Sequence, residues 1–160
     1  MEVICVTGSV ASGKTTLAKK LSKKIKAKYI DVNRLIPRYN LQIGYDKKLK
    51  SKIINLRKLK KVLIKIIEKS NENLVIDSHL SHYLPSKYVD LCIVTKCNLK
   101  KLKKRLLKKD YSKEKVRVNL DAEIFDVCLT EALENKHKVL IVNTDKKYDL
   151  GKVAEVLKSG

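Results

Sequence analysis

Short apolar runs alternate along the chain with longer stretches where apolar and lysine-rich positions recur at helical spacing, and each change of period marks an element. VICVT, residues 3–7, is a β-rich run that stops at a glycine, as a buried parallel strand does before a tight loop. From about 15 to 26, Leu17, Ala18, Leu21 and Ile25 share one face, while Lys19, Lys20, Lys23 and Lys24 take the rest. This predicts a helix packed on a sheet with its lysines in water. YIDV, residues 29–32, reads as a second strand, residues 33–52 are mixed with Pro37 and Gly44 as breakers, and residues 53–69 form a long basic amphipathic helix. LVID at 74–77 and LCIVT at 91–95 are the third and fourth strands, with Pro85 breaking the connection between them. Asn98 N-caps a helix lined by Leu99, Leu102 and Leu106 that Asp110 and Tyr111 interrupt. A single helix over about 112–133 carries Val116, Leu120, Ile124, Val127 and Leu133; VLIVN at 139–143 is the fifth strand, and a short helix follows. The alternation predicts an α/β fold, a five-stranded parallel sheet flanked by helices in one domain over 1–160, with ligands at the carboxyl ends of the strands.

Composition narrows the partners. The 37 Lys and Arg outnumber 17 Asp and Glu, giving a formal charge of +20. Residues 47–69 hold ten basic residues and one acid, and residues 96–117 hold eleven and two. Such fields attract RNA or multiply phosphorylated ligands, although lysine-rich helix faces that only solvate the protein leave the same signature. Apolar residues make up 44% of the chain, yet no run reaches the ~20 needed to cross a bilayer. MEVICVTG lacks the regions of a secretory signal, so a cytoplasmic protein without a membrane partner is expected. Cys5, Cys92, Cys97 and Cys128 form no CxxC pair and sit in or beside apolar segments, which points to reduced, mostly core cysteines.

Between the first strand and first helix lies GSVASGKT, Gly8 to Thr15, which satisfies the P-loop pattern G-x-x-x-x-G-K-[ST] in the context that pattern requires. Backbone N–H groups of Ala11, Ser12 and Gly13 are expected to wrap phosphates, helped by the positive end of the following helix. Lys14, a solvent-facing loop residue on this reading, reaches the β- and γ-phosphates of ATP. Thr15 ligates Mg2+, and Thr16 meets the α-phosphate. Asp77 ends the apolar run LVI at the carboxyl edge of a central strand, where the magnesium-holding acid of a P-loop protein belongs; a strand-end cap is the plainer alternative. His79, two residues on, projects from the same side if the strand continues and is placed to orient an attacking water or substrate, or is structural.

Over residues 3–134 the chain resembles the small adenylate-kinase-like ATPases of archaea and eukaryotes that also serve in assembly of the small ribosomal subunit. The resemblance rests on GSVASGKTTLAKKL, KYIDVNRL, GYD at 44–46, VIDSH, LPSKYVDLCIV and, above all, DYSKEKVRVNLDAEIFDVCLTEA at 110–132. It implies a nucleoside-monophosphate kinase-like P-loop NTPase with a monophosphate-binding region at about 31–54 and a short lid at about 108–118. It also implies that Asp77 and His79 are the magnesium and water-positioning pair. Departures affect the acceptor side: the family's lid Arg is replaced at Lys109, before Asp110 and Tyr111, and Lys supplies charge without a bidentate fork. Pro37 stands where a monophosphate-binding Arg is expected, with Arg38 beside it, and Asn55, Leu56, Arg57 and Lys58 replace an acid-rich stretch. The expected activity is transfer of the γ-phosphoryl of MgATP to AMP or a related nucleoside monophosphate, by Lys14, Asp77 and His79, with ATPase activity and a role in small-subunit biogenesis. The alternatives are an ATPase assembly factor that grips a small-subunit ribosomal protein and rRNA, and a small-metabolite kinase on the same fold.

Overall fold

The computed structural model describes residues 1–159. Five parallel strands, β1 (Val3–Gly8), β2 (Lys28–Asp31), β5 (Leu74–Asp77), β6 (Leu91–Lys96) and β7 (Val139–Asn143), form one sheet in the order β2-β5-β1-β6-β7. β1 is central and wholly buried, and its alternating side chains feed two cores. Ile4 and Val6 pack with Leu17, Ala18 and Leu21 of α1 (Lys14–Lys24) and Val153 of α7 (Gly151–Lys158). Val3 and Cys5 face the other layer, built from α2 (Val32–Arg38), α3 (Leu56–Glu68) and α6 (Val127–Glu134). A smaller cluster joins Leu102 and Leu106 of α4 (Leu99–Leu107) to Val116 of α5 (Lys113–Ile124), against Val10 and Ala11. All four cysteines are free, and three are buried. Among the described residues no helix is long and apolar enough to cross a membrane.

The structure departs from the sequence pattern in three places. Residues 33–52, read as mixed with Pro37 and Gly44 as breakers, hold regular elements: α2 runs to Arg38 with Pro37 in its last turn, and β3 (Gln42–Asp46) pairs antiparallel with β4 (Ser51–Ile54) in a separate hairpin. Asp46 closes that hairpin, its Oδ1 accepting from the amides of Lys48 and Leu49, both at 2.9 Å. The helix expected from 53 therefore starts three residues later, where Asn55 caps the amide of Lys58 at 3.0 Å. The helix expected over 112–133 is two, because Asp126 adopts a left-handed conformation (φ 51°) that pairs its carboxylate with Lys96. The face also differs: Ile124, Val127 and Leu133 are exposed, while Glu123 is buried.

Candidate active site

β1 ends at Gly8 and α1 begins at Lys14, so the phosphate-loop pattern falls in the turn between them. Only glycine fits position 8: φ is 140°, and a Cβ there would lie 2.2 Å from Thr95 Oγ1 and 2.7 Å from Thr95 O. Ala11 (φ 64°) and Gly13 (φ 87°) turn the chain left-handed, while Thr144 Oγ1 donates to Ser12 O at 2.6 Å and buttresses the loop. Ser9 O accepts both the Ser12 amide (3.1 Å) and Lys14 Nζ (2.7 Å), so the lysine lies folded over its own loop. Lys14 is thus half-buried rather than solvent-facing. Burial pushes its ammonium down to about 8, against the pull of nearby Asp77 and Glu123.

Parallel register sets Asp77 beside Val6 of β1 and Asp31 of β2, at the carboxyl edge of the sheet. Asp77 is 3% exposed, and its carboxylate accepts from Thr15 Oγ1 and Tyr29 OH at Oδ2, each at 2.7 Å. Burial and this bond hold the Tyr29 phenol well above its ordinary value. The Thr15 hydroxyl and Asp77 carboxylate are two adjacent hard oxygens. That donor set fits Mg2+, which takes one or two protein oxygens and completes its shell with phosphate and water. β5 stops at Asp77, and the chain turns into a 3₁₀ segment at Ser81–Tyr83, so strand alternation does not place His79. The turn brings it to the same cleft nonetheless. Its ring is exposed at the cleft mouth, yet crowding by the surrounding protein, followed by the charge of Lys14, pushes it down to about 4.

Two cavities meet at the loop. One of about 510 Å³ is lined by Ala11, Gly13, Lys14, Thr15, Thr16, Arg105, Lys109, Thr144 and Tyr148. A second, of about 680 Å³, includes Asp77, His79, Asn33, Ile36, Ile54, Tyr83 and Asn119. Ala11, Lys14, Thr15 and Lys109 line both, Gly13 and Thr16 line the first and Asp77 and His79 the second, whereas Ser12 lines neither. Arg34 and Arg38 do not line the second cavity: Arg34 lies 3.8 Å from Asp31, and Arg38 sits over the Tyr39 ring. Its cations are Lys14, Lys52, Lys109 and Lys115. Across its mouth the start of α5 clasps the hairpin turn, through Lys48 to Glu114 at 2.8 Å and Lys115 Nζ to Lys50 O at 3.1 Å.

Several residues that build the site were not singled out individually from the sequence. Glu123 of α5 accepts from Ser9 Oγ (2.6 Å), Cys97 N (3.2 Å) and Lys96 Nζ (3.0 Å), pinning the phosphate loop from beneath. Glu131 of α6 binds His82 Nε2 (2.8 Å) and Tyr83 OH (2.9 Å), and His82 Nδ1 meets Thr7 Oγ1 at 2.7 Å, fixing the turn that follows Asp77. Arg105 Nη1 donates to Ala11 O at 3.1 Å. The acids lie in the 110–132 block, and Thr144 directly follows a strand end; their positions were visible in the sequence, their partners were not.

Comparison with known proteins places the chain in a family. The profile of a family described as "AAA domain" matches residues 4–126. Proteins named "Putative adenylate kinase" are similar over nearly the whole chain. The one from Methanocaldococcus jannaschii is 34% identical over 155 residues, covering 97% of this chain and 85% of that protein. The one from Thermococcus onnurineus is 36% identical over 156 residues, covering 97% and 82%. In fold the chain is similar to shikimate kinase from Acinetobacter baumannii, with a TM-score of 0.66 at 10% identity over 99% of this chain and 94% of that one. The YorR protein of Bacillus subtilis, with a TM-score of 0.60 at 15% identity, covers 98% and 94%. With its phosphate loop, parallel sheet and near-complete alignment to these relatives, the chain belongs to the adenylate-kinase-like family of P-loop kinases.

Proposed function

We propose that this kinase transfers the γ-phosphoryl of MgATP to AMP or a related nucleoside monophosphate, with ATP in the smaller cavity and the monophosphate in the larger. The observation that carries this reading is the shared wall: Ala11, Lys14, Thr15 and Lys109 border both cavities, so a γ-phosphate held there faces an acceptor directly. ATP binding draws Lys14 from Ser9 O onto the β- and γ-oxygens, whose negative charge favours the ammonium against the burial that depresses it. Thr15 and Asp77 hold Mg2+, which when bound neutralises charge on the transferring phosphates. An oxygen of the acceptor phosphate, already ionised, attacks the γ-phosphorus as the bond to the bridging oxygen breaks, and two nucleoside diphosphates leave. Lys109 supplies charge at the shared wall. Lys52 and Lys115 hold the acceptor phosphate in place of arginines. Positioning and electrostatics do the work, and no protein group forms a covalent intermediate.

A second reading, an ATPase that contacts rRNA and a small-subunit ribosomal protein during assembly, is favoured by one observation: Lys100, Lys101, Lys103 and Lys104 of α4 are all exposed. Product analysis separates the two. ATP with AMP or CMP should give stoichiometric diphosphates, while ATP alone should turn over slowly. ADP formed at the same rate with and without any monophosphate would overturn the kinase reading in favour of the ATPase.

A further inference from the structure

The largest of the cavities described, an open groove of about 880 Å³, runs along the outer side of α3 and shares no lining residue with the two at the phosphate loop. Its floor is aliphatic, formed by Val62, Ile66 and Leu74, and Tyr39 is its one aromatic. Lys58, Lys61, Lys65 and Lys69 line it at spacings of three, four and four, a row of roughly 16 Å at the helical rise. Among the described residues none of these four lies within ion-pair distance of a carboxylate; Lys58 reaches only Asn40 O at 3.2 Å, and Glu72 pairs with Lys28. Like charges at i, i+3 and i, i+4 repel and weaken the helix that carries them. This row therefore costs the chain stability unless an anion covers it. Val62 and Ile66, one turn apart, form a half-buried seam beside the lysines, while Leu59, Leu63 and Ile67 face the core. Nucleic-acid strands rest their bases on aromatic platforms, and an aliphatic floor with a single tyrosine offers none. An aliphatic seam flanked by cations matches a helix with an aliphatic stripe flanked by acids.

We propose that the α3 groove docks an acidic amphipathic helix of a partner protein, carboxylates on Lys58, Lys61, Lys65 and Lys69 and aliphatic side chains on Val62 and Ile66. The site is independent of the kinase reading. The test uses the full chain and a fluorescein-labelled synthetic helix of Leu and Glu, with Leu at i, i+3, i+4 and i+7, in anisotropy titrations at physiological salt. K61E/K65E should weaken binding at least about tenfold, roughly 1.4 kcal/mol, while K23E/K24E, the same charge change on α1, stays within about twofold. Ile66→Ser should weaken binding with no change in charge, and a peptide with Ser for Leu should bind poorly to the parent. Kinase turnover of K61E/K65E should match the parent and its melting temperature should not fall, since the change relieves repulsion along the row; if the melt drops, K61Q/K65Q carries the same comparison. Equal losses from the α1 and α3 changes would overturn the proposal as diffuse charge attraction. Displacement of the peptide by an RNA of equal length, sensitive to K61E/K65E, would overturn it in favour of nucleic acid.

Discussion

Replacing Glu123 with alanine should damage both stability and ATP use, because this buried acid supports the loop that holds the phosphates. Its side chain is 4% exposed and satisfies Ser9 Oγ, the Cys97 amide and Lys96 Nζ. The alanine leaves a buried amide and hydroxyl without a partner, at ~1–3 kcal/mol for each group that water does not reach. Lys96 loses less, since it is 21% exposed and keeps Asp126. The net cost is about 3 kcal/mol, which for a chain of this size lowers Tm by roughly 6–12 °C. Ser9 also offers the carbonyl on which Lys14 rests, so a loosened Ser9 should raise KM for ATP even at temperatures where the variant is fully folded. Calorimetry or a urea melt reads the first effect and steady-state kinetics at 20 °C the second. A variant within about 1 kcal/mol of the parent, with unchanged KM, would refute the claim that Glu123 braces the phosphate loop.

Lys14→Met should cut turnover by about 10²- to 10³-fold yet raise Tm at pH 7, since it removes a half-buried ammonium. Lys14 titrates near 8 when folded against 10.5 when free, so between those values the unfolded chain binds more protons and the parent gains stability as pH rises. The Tm gap should therefore narrow from pH 8 to 10, and a gap that widens there would contradict the assignment. Asp77→Asn should weaken every magnesium-dependent activity, visible as a raised Mg2+ requirement for turnover. His79→Ala should slow hydrolysis in ATP alone more than transfer to a monophosphate, and equal losses would remove its water-positioning role. Because His79 is pushed down to about 4 in the ligand-free chain, its imidazole there should show no titration between pH 6 and 8, read by NMR. Changing Lys100, Lys101, Lys103 and Lys104 together to Gln should lower the salt slope of RNA binding by roughly one unit per lost phosphate contact, with ATP turnover intact; an unchanged slope would assign these lysines to solvation.

The sheet was legible because parallel strands buried on both faces are continuous apolar runs, and VICVT, LVID and LCIVT are such runs. The phosphate loop was legible because its geometry demands particular residues: nothing but glycine fits beneath Thr95 at position 8. The β3–β4 hairpin was hidden because it stands off the main sheet with Ile43, Tyr45 and Ile53 exposed, so no buried face imposes an alternating pattern. The break between α5 and α6 was hidden for a related reason. Asp126 adopts its left-handed turn to meet Lys96, a contact set by tertiary structure rather than local propensity. Glu123 was not singled out because helical periodicity tracks apolar residues, and a buried acid is recognisable only once Ser9 and Lys96 are seen around it.

The central claim is that the two cavities form one reaction path across Lys14 and Lys109. ATP labelled at the γ-phosphate, mixed with equimolar AMP and excess enzyme in a single turnover, tests it most directly. The account predicts label in the β-position of newly formed ADP, lost in Lys14→Met and reduced in Lys109→Ala. Label appearing only as inorganic phosphate, at a rate indifferent to AMP, would contradict it.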